Sequence, residues 1–281
     1  MQNYSVLMSV YYKEKAEYLE IAIESMLNQT VPPEQFVIVE DGKLTEELEK
    51  VIIRYEKRYP NLFTIIRLDE NKGLGLALNE GMKHCRNELV ARMDSDDISL
   101  PKRCEKILKE FVNDKELVIC GCNIDEFYGE ISNLRTSRVV PREHDDIKKF
   151  MKKRQAFNHP TVIYKKSKVI EAGGYILLRR KEDFDLFSRM ISMGYITKNV
   201  PESLYLYRAD DMNYLRRKNY LNFRSALYVY WRHFIRGACG LIDFVMICSG
   251  EFLFWILPIP LMKKISDNIL RKGVKAQNNE R

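Results

Sequence analysis

The sequence predicts an α/β fold in which a parallel, doubly wound sheet is flanked by helices. Short apolar runs alternate with segments of helical period over the first 122 residues. Such alternation is typical of βαβ units, because parallel strands need crossover connections. The chain has 281 residues, and 46% of them are hydrophobic, so it can form one large domain with a substantial core.

The predicted elements follow one another in order. The first strand spans residues 5–11, and the first helix has one apolar face, formed by Leu19, Ala22, Ile23, Met26 and Leu27. The later elements are strand 36–39, helix 46–59, strand 63–68, helix 74–85, strand 89–93, helix 101–112 and strand 117–122. Beyond residue 123 the alternation gives way to a less regular region.

Three carboxylates stand directly after the predicted strand 89–93, at Asp94, Asp96 and Asp97. Crowded carboxylates repel one another, so a fold tolerates them when Mg²⁺ or Mn²⁺ neutralises their charge. Such cations usually carry substrate phosphates as well. The alternative is an acidic turn before a helix, because Ser99 and Pro101 are good helix-start residues.

Polar turns also follow the other predicted strands. Ser9 and Tyr11 close the first strand. Asp41 follows the second strand, and Lys72 and Gly73 follow the third. Each turn alone fits an ordinary strand-to-helix connection, where Asp, Asn and Gly are common. Because the carboxyl ends of parallel strands converge where ligands bind, the turns together predict a ligand crevice.

A second polar group lies in the less regular region. His159 precedes an apolar strand-like run, and Glu182, Asp183 and Asp185 open a segment of helical period. A lone histidine is more often a hydrogen-bonded structural residue than a catalyst. Acidic residues in a first helical turn are normally explained by the helix macrodipole, and that explanation fits at least one of these three.

The ordered set of motifs resembles the family 2 glycosyltransferases of the GT-A fold. The motifs are VLMSVYY, VIVEDG, ENKGLGLALNEG, ARMDSDDI, NHPTVIY, GGY and KEDFDLFSRM. Each is short, but their order is highly specific and covers roughly residues 4–208. The resemblance is strongest to bacterial enzymes that build capsule, O-antigen or exopolysaccharide repeats. It implies a GT-A catalytic domain over residues 1–210, with a Rossmann-like nucleotide-binding sheet that is mostly parallel and flanked by helices.

The resemblance also implies how the donor binds. Ser9, Tyr11 and Asp41 would hold the nucleotide base and ribose, with Asp41 accepting a hydrogen bond from the uracil ring. Glu40 stands where the family more commonly has aspartate. Lys72, in the turn that also holds Gly73, would supply a diphosphate contact, since position 78 lacks the basic residue of many relatives.

The acidic run matches the family's Asp-X-Asp motif through Asp94 and Asp96. By the resemblance, Asp96 would ligate a Mn²⁺ or Mg²⁺ ion that bridges the donor diphosphate. Asp94 would contact the ribose, or the metal through water, and Asp97 would support the donor sugar. Such a cation would stabilise the negative charge that develops on the leaving diphosphate.

Asp183 matches the family's general base, and Glu182 and His159 would bind the acceptor. A base opposite the leaving group deprotonates the acceptor hydroxyl and enforces in-line attack with inversion. We therefore expect a metal-dependent inverting transferase that moves a sugar from a UDP-sugar to a lipid-linked saccharide. The alternatives are a sugar nucleotidyltransferase and a non-catalytic, membrane-docked nucleotide-binding module.

The net charge of +7 lies beyond residue 210. Residues 211–281 contain twelve Lys or Arg and five Asp or Glu, whereas positions 1–210 contain 34 of each kind. Residues 219–236 have the pattern of a helix in a membrane interface. The apolar span 238–262 is interrupted by charges and prolines, which leaves runs too short to cross a bilayer. We expect a monotopic tail on an anionic membrane; the alternative is a soluble helical subdomain.

The expected location is the cytoplasmic face of the bacterial inner membrane. The first apolar run is too short for a secretory signal, and the six cysteines lack the paired spacings of a zinc site or a disulfide scaffold. The long apolar run in the tail argues against nucleic acid as a partner, although the tail is basic and aromatic.

Overall fold

The computed structural model describes residues 2–209, 218–265 and 272–273. It has a mixed, mostly parallel sheet that is flanked by helices. The strands are β1 (Tyr4–Val10), β2 (Gln35–Glu40), β3 (Phe63–Arg67), β4 (Leu89–Met93), β5 (Ile98–Ser99), β6 (Leu117–Phe127), β7 (Leu134–Arg138), β8 (Ile163–Lys165), β9 (Ile196–Arg208) and β10 (Lys272–Gly273).

Most of the helices lie between these strands along the chain, and the last three follow β9. They are α1 (Ala16–Leu27), α2 (Glu46–Arg58), α3 (Leu74–His84), α4 (Arg103–Asn113), α5 (His144–Met151), α6 (Lys166–Glu171), α7 (Glu182–Ser192), α8 (Tyr220–Ile235), α9 (Leu241–Ile256) and α10 (Ile259–Ile265). A 3-10 turn spans His159–Thr161.

The predicted parallel arrangement is confirmed for strands β4, β1, β2 and β3, which are neighbours in that order. Val10 at the end of β1 lies in register with Glu40 at the end of β2. Nearly every residue of β1, β2 and β4 is buried, as expected for parallel strands covered on both faces. The carboxyl ends of these strands therefore form one edge, as the sequence predicts.

The rest of the sheet is mixed, in keeping with the predicted mostly parallel arrangement. The short strand β8 lies between β4 and β6 and is antiparallel to both. Strand β6 continues past the predicted end at residue 122, and it pairs with β7 antiparallel and with β9 parallel. The sheet is mixed because the chain returns through β8 as a strand, where a purely parallel sheet would have a helical crossover.

The helices cover both faces of the sheet. Helices α1, α2 and α4 pack on one face, and α3, α7 and α8 pack on the other. Helix α3 lies very close to β1 and β2, because a Cβ atom on Gly81 would come within 2.6 Å of Val39 Cγ2. This close approach sets the C-terminal half of α3 directly against the sheet.

A buried ionic cluster joins helix α8 to helix α7. The Asp185 side chain is fully buried, and it accepts hydrogen bonds from Arg189 Nε at 2.8 Å, Arg232 Nε at 3.1 Å and Arg236 Nη1 at 3.2 Å. Burial raises the pKa of Asp185, but the charges of Arg189 and Arg236 more than offset this effect and leave it below its usual range. Helix α8 is thus fastened to the helix that carries Glu182 and Asp183.

Helix α9 is the most exposed apolar element of the predicted tail. None of its residues, all of which are described, is buried. Its large exposed side chains are Leu241, Ile242, Val245, Met246, Phe252, Leu253 and Ile256. Within residues 2–209, 218–265 and 272–273, no helix is both long and apolar enough to cross a membrane. The predicted boundary at 210–211 and the basic residues Arg216, Arg217 and Arg271 lie outside the described residues.

Candidate active site

The Asp41 carboxylate joins the turns that follow β2 and β3. Asp41 is buried; its Oδ1 accepts a hydrogen bond from Lys72 N at 2.7 Å, and its Oδ2 accepts one from Gly73 N at 3.0 Å. Its own N–H donates to Val10 O at 2.8 Å, so the end of β1 is included. Gly73 has φ of +86°, a left-handed value that favours glycine. The turns predicted to converge therefore meet at Asp41.

The other predicted donor residues border this turn. Ser9 is the next-to-last residue of β1, and Tyr11 follows its end. Glu40 Oε1 lies 3.3 Å from Arg67 Nε. Burial raises the pKa of Glu40, and the Arg67 charge opposes this rise. The contacts of Ser9, Tyr11 and Asp41 with a nucleotide stay predictions.

The acidic run after β4 forms a compact cluster. Asp94, Asp96 and Asp97 each offer a carboxylate oxygen, and these oxygens lie within 4.8 Å of one another. Asp97 is fully buried; Oδ1 accepts a hydrogen bond from Arg208 N at 2.7 Å, and Oδ2 finds no hydrogen-bond partner among the described residues. Burial and then the Asp94 charge raise the pKa of Asp96 to about 6. Crowded carboxylates with an orphaned buried oxygen fit a hard divalent cation.

Three side chains around the cluster were not anticipated from the sequence. Arg92 is almost fully buried and forms an ion pair with Asp94 Oδ1. Tyr205 Oη accepts a hydrogen bond from Asp94 N at 3.3 Å, and Arg208 Nε donates to Asp96 O at 2.9 Å. The only sequence signal for Arg92 was a cation inside an apolar strand. Tyr205 and Arg208 belong to β9 and have no local signal.

Asp183, the predicted base, is the second residue of α7. Its Oδ2 accepts a hydrogen bond from Gln155 Nε2 at 2.8 Å. Burial raises the pKa of Asp183, whereas a charged His159, the Gln155 hydrogen bond and the Lys181 charge lower it. Burial and the charge of Arg92 lower the pKa of His159 to about 3, so that ring is neutral at pH 7. At that pH the Gln155 hydrogen bond and the Lys181 charge are the causes that favour the ionised form of Asp183, which is the form that a general base requires.

His159 lies in a structural environment. The ring is buried, and its Nε2 lies 2.8 Å from the Tyr175 hydroxyl. The Tyr175 backbone is held from both sides by Asn79, whose Oδ1 accepts from Tyr175 N at 2.8 Å and whose Nδ2 donates to Tyr175 O at 2.6 Å. Helix α3 is thereby tied to the loop before α7. The predicted contact of His159 with an acceptor stays a prediction.

Glu182 directly precedes the predicted base at the start of α7. Burial and then the charge of Asp183 raise the pKa of Glu182 to about 7, and Asp94 contributes in the same direction. The charges of Asp94 and Asp183 therefore both act on the Glu182 carboxylate.

Replacing Glu182 by Gln should stabilise the fold in a pH-dependent way. The folded-state pKa of Glu182 is raised from its ordinary value of 4.5 to about 7, so the folded protein binds the extra proton and wild-type stability falls as pH rises through this window. We expect equal Tm values at pH 5 and a variant Tm higher by a few degrees at pH 8. Glu46→Gln, at the exposed first residue of α2, is the matched control. A Tm difference that does not change with pH would contradict the prediction.

The comparison with protein families identifies the class of protein to which this fold and these carboxylates belong. The profile of the family described as "Glycosyl transferase family 2" matches residues 5–183. The chain therefore belongs to Glycosyl transferase family 2, and it is a glycosyltransferase. The resemblance seen in the motifs is confirmed.

The relatives are enzymes of bacterial surface polysaccharides. The chain is 39% identical over 227 residues to the amylovoran biosynthesis glycosyltransferase AmsE of Erwinia amylovora, which covers 80% of this chain and 84% of the relative. It is 31% identical over 272 residues to the UDP-Gal:alpha-D-GlcNAc-diphosphoundecaprenol beta-1,3-galactosyltransferase of Escherichia coli, covering 96% of this chain and 97% of the relative.

A solved structure shares the fold. The mannosyltransferase PcManGT from Pyrobaculum calidifontis, in complex with GDP-Man and Mn²⁺, aligns with a TM-score of 0.64 at 17% identity. The alignment covers 95% of this chain and 75% of that protein. It extends the shared fold over nearly the whole chain.

Proposed function

We propose that this glycosyltransferase is metal-dependent and inverting, and that it moves a sugar from a UDP-sugar to a lipid-linked saccharide in bacterial surface polysaccharide synthesis. The observation that carries the proposal is that Glu182 and Asp183 open α7 together and that the charge of Asp94, in the acidic cluster, acts on the Glu182 carboxylate. The relative that names UDP-Gal, a diphosphoundecaprenol acceptor and a β linkage supports this donor, acceptor and stereochemistry.

The donor would bind at the ends of β1, β2 and β4. Ser9, Tyr11 and Asp41 would hold the base and ribose, and Lys72 and Gly73 would lie beside the diphosphate. Asp41 can still accept a further hydrogen bond, because each carboxylate oxygen can accept two and each accepts one from the part of the chain that the structure describes. The Asp41 contacts to two backbone amides hold this turn in place before a ligand arrives.

The acidic cluster would hold Mn²⁺ or Mg²⁺ through Asp96 and Asp94, with Asp97 behind them towards the donor sugar. The orphaned buried oxygen of Asp97 and the raised pKa of Asp96 fit a site that binds a cation. When bound, the ion supplies charge neutralisation for the departing diphosphate. The structural neighbour with Mn²⁺ supports this choice of cofactor.

The chain's own carboxylate performs the proton transfer. Asp183 Oδ1 or Oδ2 would take the proton of the acceptor hydroxyl as its oxygen attacks the anomeric carbon, and Gln155 would keep the carboxylate oriented. Glu182 and His159 would border the acceptor. Since attack comes from the face opposite the diphosphate, an α-linked donor would give a β-glycoside.

A donor panel tests the function. The purified full-length protein would be incubated with radiolabelled UDP-sugars, a diphospholipid-linked saccharide acceptor, and Mn²⁺, Mg²⁺ or a chelator. We expect labelled lipid product from one UDP-sugar, and only with a divalent ion. Release of pyrophosphate from UTP and a sugar phosphate would identify a nucleotidyltransferase. Binding of UDP without any product would identify a non-catalytic module.

The tail would dock the enzyme on the cytoplasmic face of the inner membrane. Helix α9 exposes its apolar side chains, with Leu241 and Ile242 at 63% and 77%, and α8 adds exposed Trp231 and Ile235 beside it. An exposed apolar helix in a region with net positive charge fits the surface of an anionic bilayer. The lipid carrier named in the Escherichia coli relative supports such a location.

Membrane docking predicts a specific loss. In the double variant Ile242→Ser with Val245→Ser, two side chains can no longer enter the lipid, so we expect vesicle binding to fall about tenfold or more. The measurement is sedimentation with phosphatidylglycerol-containing vesicles. Val112→Ser with Ile131→Ser removes two side chains of similar exposure elsewhere and should bind as the wild type does. Equal binding by the two double variants would refute docking through α9.

A further inference from the structure

Lys181 has an unusual backbone conformation next to the predicted base. Among the residues that the structure describes, it is the only non-glycine residue with positive φ, at 69°. It is the N-cap of α7 and directly precedes Glu182 and Asp183. The left-handed region is unfavourable for a side chain with a Cβ atom, and such a residue persists there only when its surroundings hold it.

The surroundings that hold Lys181 come from the tail. Glu251 on α9 pairs through Oε1 with Arg180, and its Oε2 lies 3.9 Å from Lys181 Nζ. The Lys181 ammonium lies 5.4 Å from the Tyr230 ring centroid, and the Tyr230 hydroxyl donates to Glu251 Oε2 at 3.2 Å. Ser225 on α8 donates to Arg180 O at 3.2 Å. Side chains of α8 and α9 therefore hold the turn before α7 in place.

The Glu251 carboxylate stabilises two neighbouring positive charges. Arg180 and Lys181 are adjacent cations, with side chains 20% and 23% exposed, and they would repel each other without an anion between them. The Glu251 side chain is only 11% exposed, so its charge is weakly screened by solvent. Losing this charge removes an anion that pairs with Arg180 and lies near Lys181, and with it a restraint on the left-handed residue.

We propose that Glu251 is a positioning residue for the catalytic base, holding the turn of Arg180 and Lys181 so that α7 begins at Glu182 and presents Asp183 to the acceptor. The proposal rests on the proposed function, in which Asp183 is the base. Glu251 lies well outside residues 5–183, which the family profile matches. Helix α9, which would meet the membrane, thus also carries a residue that orients the catalytic base.

The first test is Glu251→Gln, which keeps the shape of the side chain and removes its charge. We expect kcat to fall about 10- to 100-fold, because a small displacement of a catalytic group is costly, while KM for the UDP-sugar stays unchanged. Glu110→Gln breaks a comparable ion pair, with Lys198 at 2.7 Å, on helix α4. This control should keep wild-type kcat. A Glu251→Gln enzyme with wild-type kcat would overturn the proposal.

The second test separates positioning from a general loss of stability. In Lys181→Gly the glycine adopts positive φ without strain, so the turn before α7 does not need the restraint that Glu251 supplies. Lys181→Gly also removes the Lys181 charge that acts on Asp183, so we expect it to be less active than the wild type, and this single variant is the reference for the double variant. We also expect Glu251→Gln to cost less than threefold when it is added to Lys181→Gly. An equal loss in both backgrounds would show that Glu251 does not act through Lys181.

A readout that needs no activity keeps this inference distinct from the function itself. Amide hydrogen exchange at residues 182–185 should quicken in Glu251→Gln and remain at the wild-type rate in Glu110→Gln. Unchanged exchange at these amides in Glu251→Gln would overturn the positioning role even in an active enzyme. If the wild-type protein transferred no sugar from any UDP-sugar, the proposed function would fail, whereas the exchange result would still report on the turn.

Discussion

Replacing Asp183 by Asn should reduce kcat by about 10²- to 10⁴-fold, the range that a positioned general base contributes. Asn keeps the size of the side chain and can still pair with the Gln155 amide, but it cannot take a proton from the acceptor hydroxyl. KM for the UDP-sugar should change little, because the donor would bind at the strand ends. The measurement is steady-state transfer with the wild-type and variant proteins at matched Tm.

The matched control is Asp145→Asn. Asp145 also lies in the first turn of a helix, α5, where it is exposed. That variant should lose the same local helix charge and keep wild-type turnover. Transfer by a folded Asp183→Asn protein at the wild-type rate would disprove the base assignment.

Replacing Asp96 by Asn should cost about 100-fold or more in kcat/KM, since it removes a ligand from the proposed cation site. The cluster would keep Asp94 and Asp97, but it would have one negative charge fewer and a lower affinity for Mn²⁺. In calorimetric titrations, UDP should bind the wild type more tightly with Mn²⁺ than with a chelator. The variant should show little difference between the two conditions.

Asp114→Asn provides the comparison for this variant. Asp114 is a half-buried carboxylate in a turn after α4, where its Oδ1 accepts a hydrogen bond from Glu116 N at 2.8 Å. The change there should leave Mn²⁺-dependent UDP binding intact. If the Asp96→Asn protein still responded to Mn²⁺ as the wild type does, Asp96 would not be a metal ligand.

The first half of the fold could be predicted because each of its strands and helices has a pattern within its own stretch of sequence. Strands β1, β2 and β4 are buried almost throughout, and each is followed by a helix whose apolar face repeats at helical spacing. In the second half, β6 is buried over all eleven residues although it contains Asp125 and Glu126. These accept hydrogen bonds from Ser137 and Thr136 on β7, and no local pattern reveals such pairing across strands.

The candidate site, too, could be predicted only in part. Its carboxylates could be found because Asp94, Asp96 and Asp97 are near neighbours in the chain and Glu182 adjoins Asp183. Their partners could not, because they are brought together only by folding: Gln155 reaches Asp183 from 28 residues away, and Arg208 reaches Asp97 from 111 residues away. The ionisation of each carboxylate depends on those partners, so sequence alone identifies the acids and leaves their chemistry open.

The arginines around Asp185 limit how far the polypeptide can be shortened. A fragment ending at residue 209 would retain every residue proposed for donor, metal and acceptor, yet it would lack Arg232 and Arg236 and leave a buried carboxylate with one cation. It would also uncover Phe184, whose ring packs 5.7 Å from that of Tyr230. Because Glu251 lies further along, on α9, the smallest autonomous catalytic unit extends through that helix to residue 256, and secretion or crystallisation trials with a trimmed enzyme should stop beyond that point.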